Sequence, residues 1–299
     1  MSRRVFIALV ATGAAGCSDT VSGQPSLRLA TGLAGGPYGA LGDRFAAELR
    51  RDGFTVEVLQ TAASVQNLTM LTDGRADLGF SLADSADDAV SMRHQPVAAL
   101  ARMYMNYVHL VVRAGSVISA AKDLAGRKVS IGADGSGTAV TAVRVLEAAG
   151  VRGHTVVRLG LDMSIKALAD RAIDAFFWSG GVPTPALASL DDIKLVPLEP
   201  LVPVLRRVYG PVYENAAVPA GAYGGAKPIP TVGTPSYLVC RRTLPDEVAF
   251  AVTETLFDAR DRLQAPSAPG GRLDKRYAIG TGVVPLHPGA ARYYRSVYG

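Results

Sequence analysis

Cysteine and histidine are scarce in this sequence of 299 residues. It contains two cysteines, Cys17 and Cys240, and four histidines, so at most one disulfide can form and a disulfide framework is excluded. No histidine stands at metal-ligand spacing from another histidine or a cysteine, and we therefore expect no metal site. An apolar run, Tyr237 to Val239, precedes Cys240, which predicts a buried thiol at that position.

Dense basic runs and long apolar runs are also missing. The formal net charge of +5 is dispersed along the chain, so we expect no nucleic-acid binding, whereas a mildly positive body suits an anionic ligand. Beyond residue 16 no apolar run is long enough to span a bilayer. The chain is 48% hydrophobic, and its length predicts about two domains with buried cores.

The sequence motifs of common hydrolases are incomplete. The glycine loop, Gly132 to Gly137, lacks the lysine of a phosphate-binding P-loop, because Thr138 and Ala139 follow it. Asp134 takes the place of the first glycine of G-x-S-x-G, and the S-x-x-K match at Ser119–Lys122 has no K-T-G or S-D-N partner motif. We therefore predict no catalytic residue and no cofactor. An exported hydrolase that uses Ser136 remains the rival hypothesis from a different class.

The first residues are typical of an export signal. Basic residues at Arg3 and Arg4 precede an apolar run, 5–16, that is too short to cross a membrane. The run ends in Ala-Ala-Gly-Cys, which resembles a bacterial lipoprotein cleavage box with Ala14 where leucine is usual. We predict a signal peptide at 1–16, lipidation of Cys17, a linker at 17–26, and membrane contact through this anchor alone. The alternative is an ordinary signal peptide followed by a chance cysteine.

The glycine loop is the feature around which the rest of the chain is interpreted. It follows the β-branched run Val129–Ile131 and precedes a helical pattern from Thr138 to Ala149, with Ser136 and Thr138 as candidate caps. The first turn of a helix carries unpaired N–H donors and a partial positive charge, so this turn predicts a site for a carboxylate or phosphate. The stretch Leu27–Arg50 repeats the order of strand, glycine turn and helix. We expect the two turns to face each other and hold one small anion.

The remaining pattern predicts two α/β lobes around a cleft. Strands and helices alternate in residues 27–80 and again in 129–197, which is typical of parallel sheets with right-handed crossovers. Val97–Arg113 is too long for an ordinary strand and is predicted to cross between lobes, and Thr231–Cys240 is predicted to return. The predicted boundaries are 27–112 with 231–299 for lobe 1, and 113–230 for lobe 2. Residues 209–230 are predicted to be loop.

Several polar residues have simpler structural interpretations. We interpret Asp84, Asp87 and Asp88 as the solvated face of a short helix. We interpret Ser64 as the cap of a helix that runs through Leu71. His109 lies in an apolar run, and we expect it to be a hydrogen-bonded core residue. Trp178 follows two phenylalanines and precedes Gly180, and we expect it to form the wall of a pocket.

Five segments, in this order, resemble the TAXI-type solute-binding proteins of TRAP transporters: TGLAGGPYGALG, the SVQN of TAASVQNLTML, DLAGRKVSIGADGSGT, IDAFFWSGGVPTPAL and VPLHPGAARYYR. The resemblance runs from about Leu27 to Tyr294. It implies a type II periplasmic-binding-protein fold with two α/β lobes around a central ligand cleft. It also implies a periplasmic or cell-surface receptor that passes a small anionic solute, an amino or dicarboxylic acid, to TRAP membrane permease subunits. An ABC-type receptor of the thiamine-pyrimidine kind is the alternative.

Carried over by motif, the resemblance implies ligand contacts from both lobes. The residues are Tyr38, Ser64, Asn67, Ser136, Gly137, Thr138, Gly180 and Gly181. Three departures stand out: Ala62-Ala63 replaces glycines, Asp134 stands where proline is common, and Val182 stands where histidine is common. Asp134 would repel a carboxylate unless its side chain points away from the site.

Overall fold

The computed structural model describes residues 26–33, 36–263 and 273–299. The predicted signal peptide, the predicted lipidation of Cys17, the linker up to residue 25 and the glycine at position 35 lie outside the described residues. Within the described part, no helix combines the length and apolar character that crossing a membrane requires.

The elements alternate as the sequence pattern predicts. The strands are β1 (Ser26–Ala30), β2 (Thr55–Leu59), β3 (Leu78–Leu82), β4 (Val97–Arg113), β5 (Lys128–Ser130), β6 (Thr155–Val157), β7 (Ala175–Gly180), β8 (Ile193–Leu195), β9 (Glu214–Val218) and β10 (Ile229–Arg241). The helices are α1 (Pro37–Arg51), α2 (Ser64–Thr72), α3 (Ala83–Ser91), α4 (Gly137–Ala148), α5 (Leu161–Ala169), α6 (Pro185–Ala188), α7 (Val202–Tyr209), α8 (Asp246–Asp258), α9 (Lys275–Ala278) and α10 (Pro288–Tyr298).

The first lobe is built on three parallel strands. β1 lies between β2 and β3 and pairs in parallel with both, so α1 and α2 are crossover helices. The C-terminal helices complete this lobe: the rings of Phe257 on α8 and Tyr293 on α10 stack with centroids 5.9 Å apart, and the hydroxyl of Tyr294 donates to the carbonyl of Leu100 at 2.8 Å. The apolar face of β1 to β3 is thereby covered by both early and late segments of the chain.

Two long antiparallel strands join the lobes. The sheet order is β2-β1-β3-β10-β4-β7-β5-β6, with β8 beside β4 and β9 beside β10. β4 pairs with β10 over most of its length, and its last third pairs with β7. The predicted crossing run is thus one strand that belongs to both lobes, and Cys240 on the returning strand is fully buried, which confirms its structural interpretation.

The second lobe repeats the parallel plan around β5, with β6 and β7 on either side of it. One prediction here is wrong: residues 209–230 are not all loop, because β9 pairs antiparallel with β10. β9 is an edge strand of small residues around Ala216 and Ala217, and alanine and asparagine have low strand propensity, so local sequence does not reveal it.

Candidate functional site

A cavity of about 70 Å³ lies between the two lobes. We call it the cleft cavity; it is lined by residues 32–33, 36–38, 62–64, 132–133, 136–138, 159–161 and 177–179, with Leu82 and Asn106. These segments follow, or end, strands of both lobes. The cavity therefore occupies the carboxyl edge of the sheet, where ligands of open α/β folds bind.

Four helices begin at residues that line the cleft cavity. α1 begins at Pro37, α2 at Ser64, α4 at Gly137 and α5 at Leu161. Among the described residues, the amides of Ser64, Gly137 and Thr138 meet no acceptor. These amides supply donors and the positive ends of two helices, one from each lobe, to whatever occupies the cavity.

Ser136 is the cap of α4, as predicted. Its hydroxyl oxygen accepts from the amide of Ala139 at 3.1 Å and donates to the carbonyl of Ala133 at 2.7 Å. Both bonds are local. Among the described residues that line the cavity there is no histidine, lysine or carboxylate, so none of these residues can serve Ser136 as a base.

The Ser64 side chain does not cap its helix, contrary to the prediction. The cap position of α2 is Ala63, and the Ser64 hydroxyl instead accepts from the amide of Leu82 at 3.0 Å. This bond ties the start of α2 to the end of β3. The prediction failed because a cap depends on where the helix begins, and boundaries shift by a residue or two.

The two lobes touch at this point. The amide of Gln66 on α2 donates to the carbonyl of Gly135 in the glycine loop at 3.1 Å. A Cβ built on Gly137 would lie 2.8 Å from Leu82 Cδ1, which is closer than carbon atoms approach in proteins. The contact therefore needs bare backbone at Gly137.

Tyr38 and Asn106 contribute polar side chains to the cavity lining and share Ser236 as a partner. The hydroxyls of Tyr38 and Ser236 are 2.8 Å apart, and the side-chain amide of Asn106 also donates to Ser236. The Tyr38 ring stacks on Phe80 with centroids 5.4 Å apart. Burial raises the pKa of Tyr38 well above its usual range, so the phenol stays neutral and able to donate a hydrogen bond.

Thr138 and Ser179 form the second-lobe side of the cavity. The hydroxyl of Thr138 accepts from the amide of Ser179 at 3.2 Å, which holds the start of α4 against β7. The hydroxyl of Ser179 is buried and has no hydrogen-bond partner among the described residues. Ser179 is also one of the residues that line the cavity.

Three of the predicted contact residues lie off the cavity lining. Asn67 is fully buried: its amide donates to the carbonyls of Thr31 at 2.7 Å and Phe80 at 2.8 Å, so it joins β1 to β3. Gly180 faces the Trp178 indole, which would lie 2.6 Å from a Cβ there. Gly181 accepts from the hydroxyl of Thr184 at 2.8 Å. Tyr38, Ser64, Ser136, Gly137 and Thr138 are the predicted residues that the fold brings together.

Sequence reasoning missed Asn106, Ser179 and the segment 159–161. Asn106 was recognisable, because it is the one amide in the apolar run of β4, where a buried polar side chain needs a partner. Segment 159–161 carried no local signal, since Leu-Gly-Leu is unremarkable until β6 places it beside β5. Trp178 lines the cavity as predicted, and its indole donates to Thr184 at 3.0 Å.

His109 lies in the core, as predicted. Its Nδ1 is 2.9 Å from the carbonyl of Tyr107 and its Nε2 is 3.0 Å from the hydroxyl of Tyr223. Burial lowers the pKa of His109 to about 4, so the imidazole is neutral at physiological pH. It is separate from the cleft cavity.

The prediction of a solvated face on α3 is wrong: Asp84 is buried, and Asp87 and Asp88 are half-buried. The Asp84 carboxylate is fully buried and accepts from the hydroxyls of Thr141 at 2.6 Å and Tyr213 at 2.9 Å. Arg144 on α4 pairs with Asp88 at 2.5 Å and donates to Tyr213 at 3.0 Å. The acidic cluster is buried because α4 packs against α3, an arrangement that no local pattern specifies. We call these side chains the α3–α4 polar network.

Asp134 points away from the site. Its side chain is 87% exposed and lies 3.4 Å from Arg158, and it does not line the cavity. The Asp134 carboxylate is therefore not placed to repel an anion in the cavity, as its position in the sequence had suggested.

Comparisons with known proteins agree with this architecture. The model of the NMT1-like family matches residues 29–297. The substrate-binding protein of an amino acid ABC transporter is 15% identical, with a TM-score of 0.53 over 80% of this chain and 96% of that one. An ancestral arginine-binding protein bound to arginine is 16% identical, with a TM-score of 0.53 over 80% of this chain and 96% of that one.

A sulfonate receptor is among the similar structures. The alkanesulfonate-binding protein SsuA from Xanthomonas axonopodis pv. citri, bound to MOPS, is 15% identical, with a TM-score of 0.51 over 92% of this chain and 85% of that one. At such identities the likeness establishes the fold: the chain has the two-lobe α/β fold of periplasmic binding proteins, as the sequence resemblance implied.

Proposed function

The chain belongs to the NMT1-like family, and from this premise we propose that it is an extracytoplasmic solute-binding receptor. It captures a small anionic solute in the cleft cavity and delivers it to a membrane permease, without chemistry. The observation that supports this most is the convergence of unpaired amides of Ser64 from one lobe and of Gly137 and Thr138 from the other. Donors from both lobes reach one solute only when the cleft is closed, so binding and closure are coupled.

We further propose that the permease is of the TRAP type, as the five TAXI-like segments imply. The rival is an ABC permease, since two of the similar solved structures are described as an ABC transporter component and an arginine-binding protein. Reconstitution of the lipid-anchored receptor in proteoliposomes with each candidate permease separates them. TRAP coupling predicts uptake that needs an ion gradient and no ATP; uptake that needs ATP identifies the ABC alternative.

We propose that the two lobes are residues 27–112 with 231–299, and residues 113–230. They move as two bodies about β4 and β10.

The proposed anchor is a lipid on Cys17. Radiolabelled palmitate should enter the full-length protein in cells and fail to enter the Cys17→Ser variant. Equal labelling of both forms would contradict lipidation of Cys17, and it would not bear on the proposed binding site.

Binding itself can be measured without a label. The chain has one tryptophan, Trp178, and it lines the cleft cavity, so its fluorescence reports occupancy directly. We expect saturable fluorescence changes and a raised melting temperature with members of a panel of small carboxylates and sulfonates. Ser136→Ala, which removes the cap of α4, and Thr138→Ala, which releases Ser179, should each weaken binding. A panel without any response, or unchanged affinity in both variants, would count against the receptor function.

A further inference from the structure

The described residues that line the cleft cavity are all uncharged: none is lysine, arginine, histidine, aspartate or glutamate. Three acids lie within two residues of the lining in sequence. Asp134 is exposed beside Arg158, Asp162 is exposed, and Asp84 accepts hydrogen bonds from Thr141, Tyr213 and the amide of Ser85. Every charge on a bound solute must therefore be met by neutral dipoles.

The lining combines a small number of neutral donors with apolar side chains. The amides of Ser64, Gly137 and Thr138 and the hydroxyl of Ser179 have no partner among the described residues. The apolar side chains of Leu33, Leu159, Leu161 and Trp178 also line the cavity. An oxyanion can therefore be placed at the donors and helix N-termini, while the remainder of the solute lies against hydrocarbon.

We propose that the cleft cavity selects a solute with one oxyanion group, a carboxylate or a sulfonate, and an uncharged, apolar remainder. This inference rests on the proposed receptor function and narrows it. Zwitterionic amino acids are rejected, because a buried ammonium group would have no carboxylate partner and desolvation of an unpaired ion is costly. Dicarboxylates are rejected, because the second carboxylate would be desolvated without a cationic partner among the described residues that line the cavity.

A matched series of five-carbon solutes tests this with the mature protein and Trp178 fluorescence. Pentanoate and pentane-1-sulfonate carry one oxyanion, norvaline adds an ammonium group, glutarate adds a carboxylate, and pentanamide is neutral. We expect one of the two monoanions to bind most tightly, and norvaline, glutarate and pentanamide to bind at least 100-fold more weakly. That ratio corresponds to about 2.8 kcal/mol at 1.4 kcal/mol per tenfold.

The outcomes separate the inference from the function on which it rests. Norvaline, glutarate or pentanamide binding as tightly as the monoanions would overturn the inference and leave the receptor function standing. An absence of binding by the series and by the wider carboxylate and sulfonate panel would overturn both. Tighter binding of the sulfonate than of the carboxylate, or the reverse, identifies which oxyanion is preferred.

An isosteric pair of variants adds a charge test. Leu161 is the first residue of α5 and lines the cavity, and this helix position tolerates both aspartate and asparagine. Leu161→Asp should weaken binding of the preferred monoanion at least tenfold relative to Leu161→Asn, because only the first adds a negative charge. Equal affinity of the two variants would contradict an anionic occupant of the cavity.

Discussion

The backbone of Gly137 on α4 lies against the side chain of Ser64 on α2, so that a Cβ on Gly137 would be 2.9 Å from the Cβ of Ser64. Leu82 Cδ1 closes the same space at 2.8 Å, and the Ser64 hydroxyl is nearer still. The contact joins the two lobes across the cleft cavity. Ser64 and Leu82 are held in place on their side of the contact, because the amide of Leu82 donates a hydrogen bond to the Ser64 hydroxyl.

Gly137→Ala should therefore hold the cleft open. An added methyl group overlaps Ser64 and Leu82 only when the lobes close, so we expect solute affinity to fall at least tenfold while the variant remains folded. The measurement is a Trp178 fluorescence titration, with small-angle scattering to detect a larger radius of gyration in the presence of solute. The matched control is Gly181→Ala, because a Cβ on Gly181 meets nothing within 4 Å. Wild-type affinity in Gly137→Ala would show that the contact does not limit closure.

Ala63 occupies a backbone conformation that suits glycine. Its φ is 84° and its ψ is −138°, a region that costs a non-glycine residue about 1–3 kcal/mol. We expect Ala63→Gly to raise the free energy of unfolding by about 1 kcal/mol, since the strain removed exceeds the added chain entropy of glycine. Chemical denaturation measures the difference. Ala62→Gly, at a neighbouring residue without a positive φ, should destabilise the protein instead; a gain from both variants would contradict the strain argument.

The Arg144–Asp88 pair should couple the lobes energetically. Its side chains are 10% and 17% exposed, so removal of one partner leaves a poorly solvated charge and should cost up to about 3 kcal/mol. A double-mutant cycle with Arg144→Met and Asp88→Asn measures the pair, and we expect a coupling energy of about 1–3 kcal/mol. Additive effects of the two substitutions would mean that the α3–α4 polar network does not act as a unit.

Asp87 should make stability fall as the pH rises. Burial, and then the neighbouring charges of Asp84 and Asp88, raise the pKa of Asp87 to about 7, and its Oδ1 has no partner among the described residues. The folded state then binds more protons than the unfolded state between about pH 4 and pH 7. The free energy of unfolding therefore decreases as the pH rises through that window. Asp87→Asn should match the wild type near pH 4 and exceed its melting temperature at pH 8. A constant difference between the two proteins across this range would contradict the raised pKa.

Residues whose role depends on local spacing were predicted well. Ser136 caps α4 because the cap, the glycine before it and the apolar periodicity after it lie within a few residues. The crossing of β4 was predictable from the length of one apolar run. Ser64, by contrast, accepts a hydrogen bond from Leu82, 18 residues away, and that partner exists only once β3 lies beside α2.

By itself, the sequence determined the alternation of strand, glycine turn and helix in two sets, and with it the α/β class and the crossing strands, because hydrophobic period and turn chemistry act over short distances. The tertiary structure alone decided which donors meet, that Asn67 joins strands inside the first lobe, that Asp84 is buried beneath α4, and that the described residues lining the cavity are uncharged. Those facts depend on pairs of residues far apart in the chain, and their contact energies arise only when packing brings both partners together.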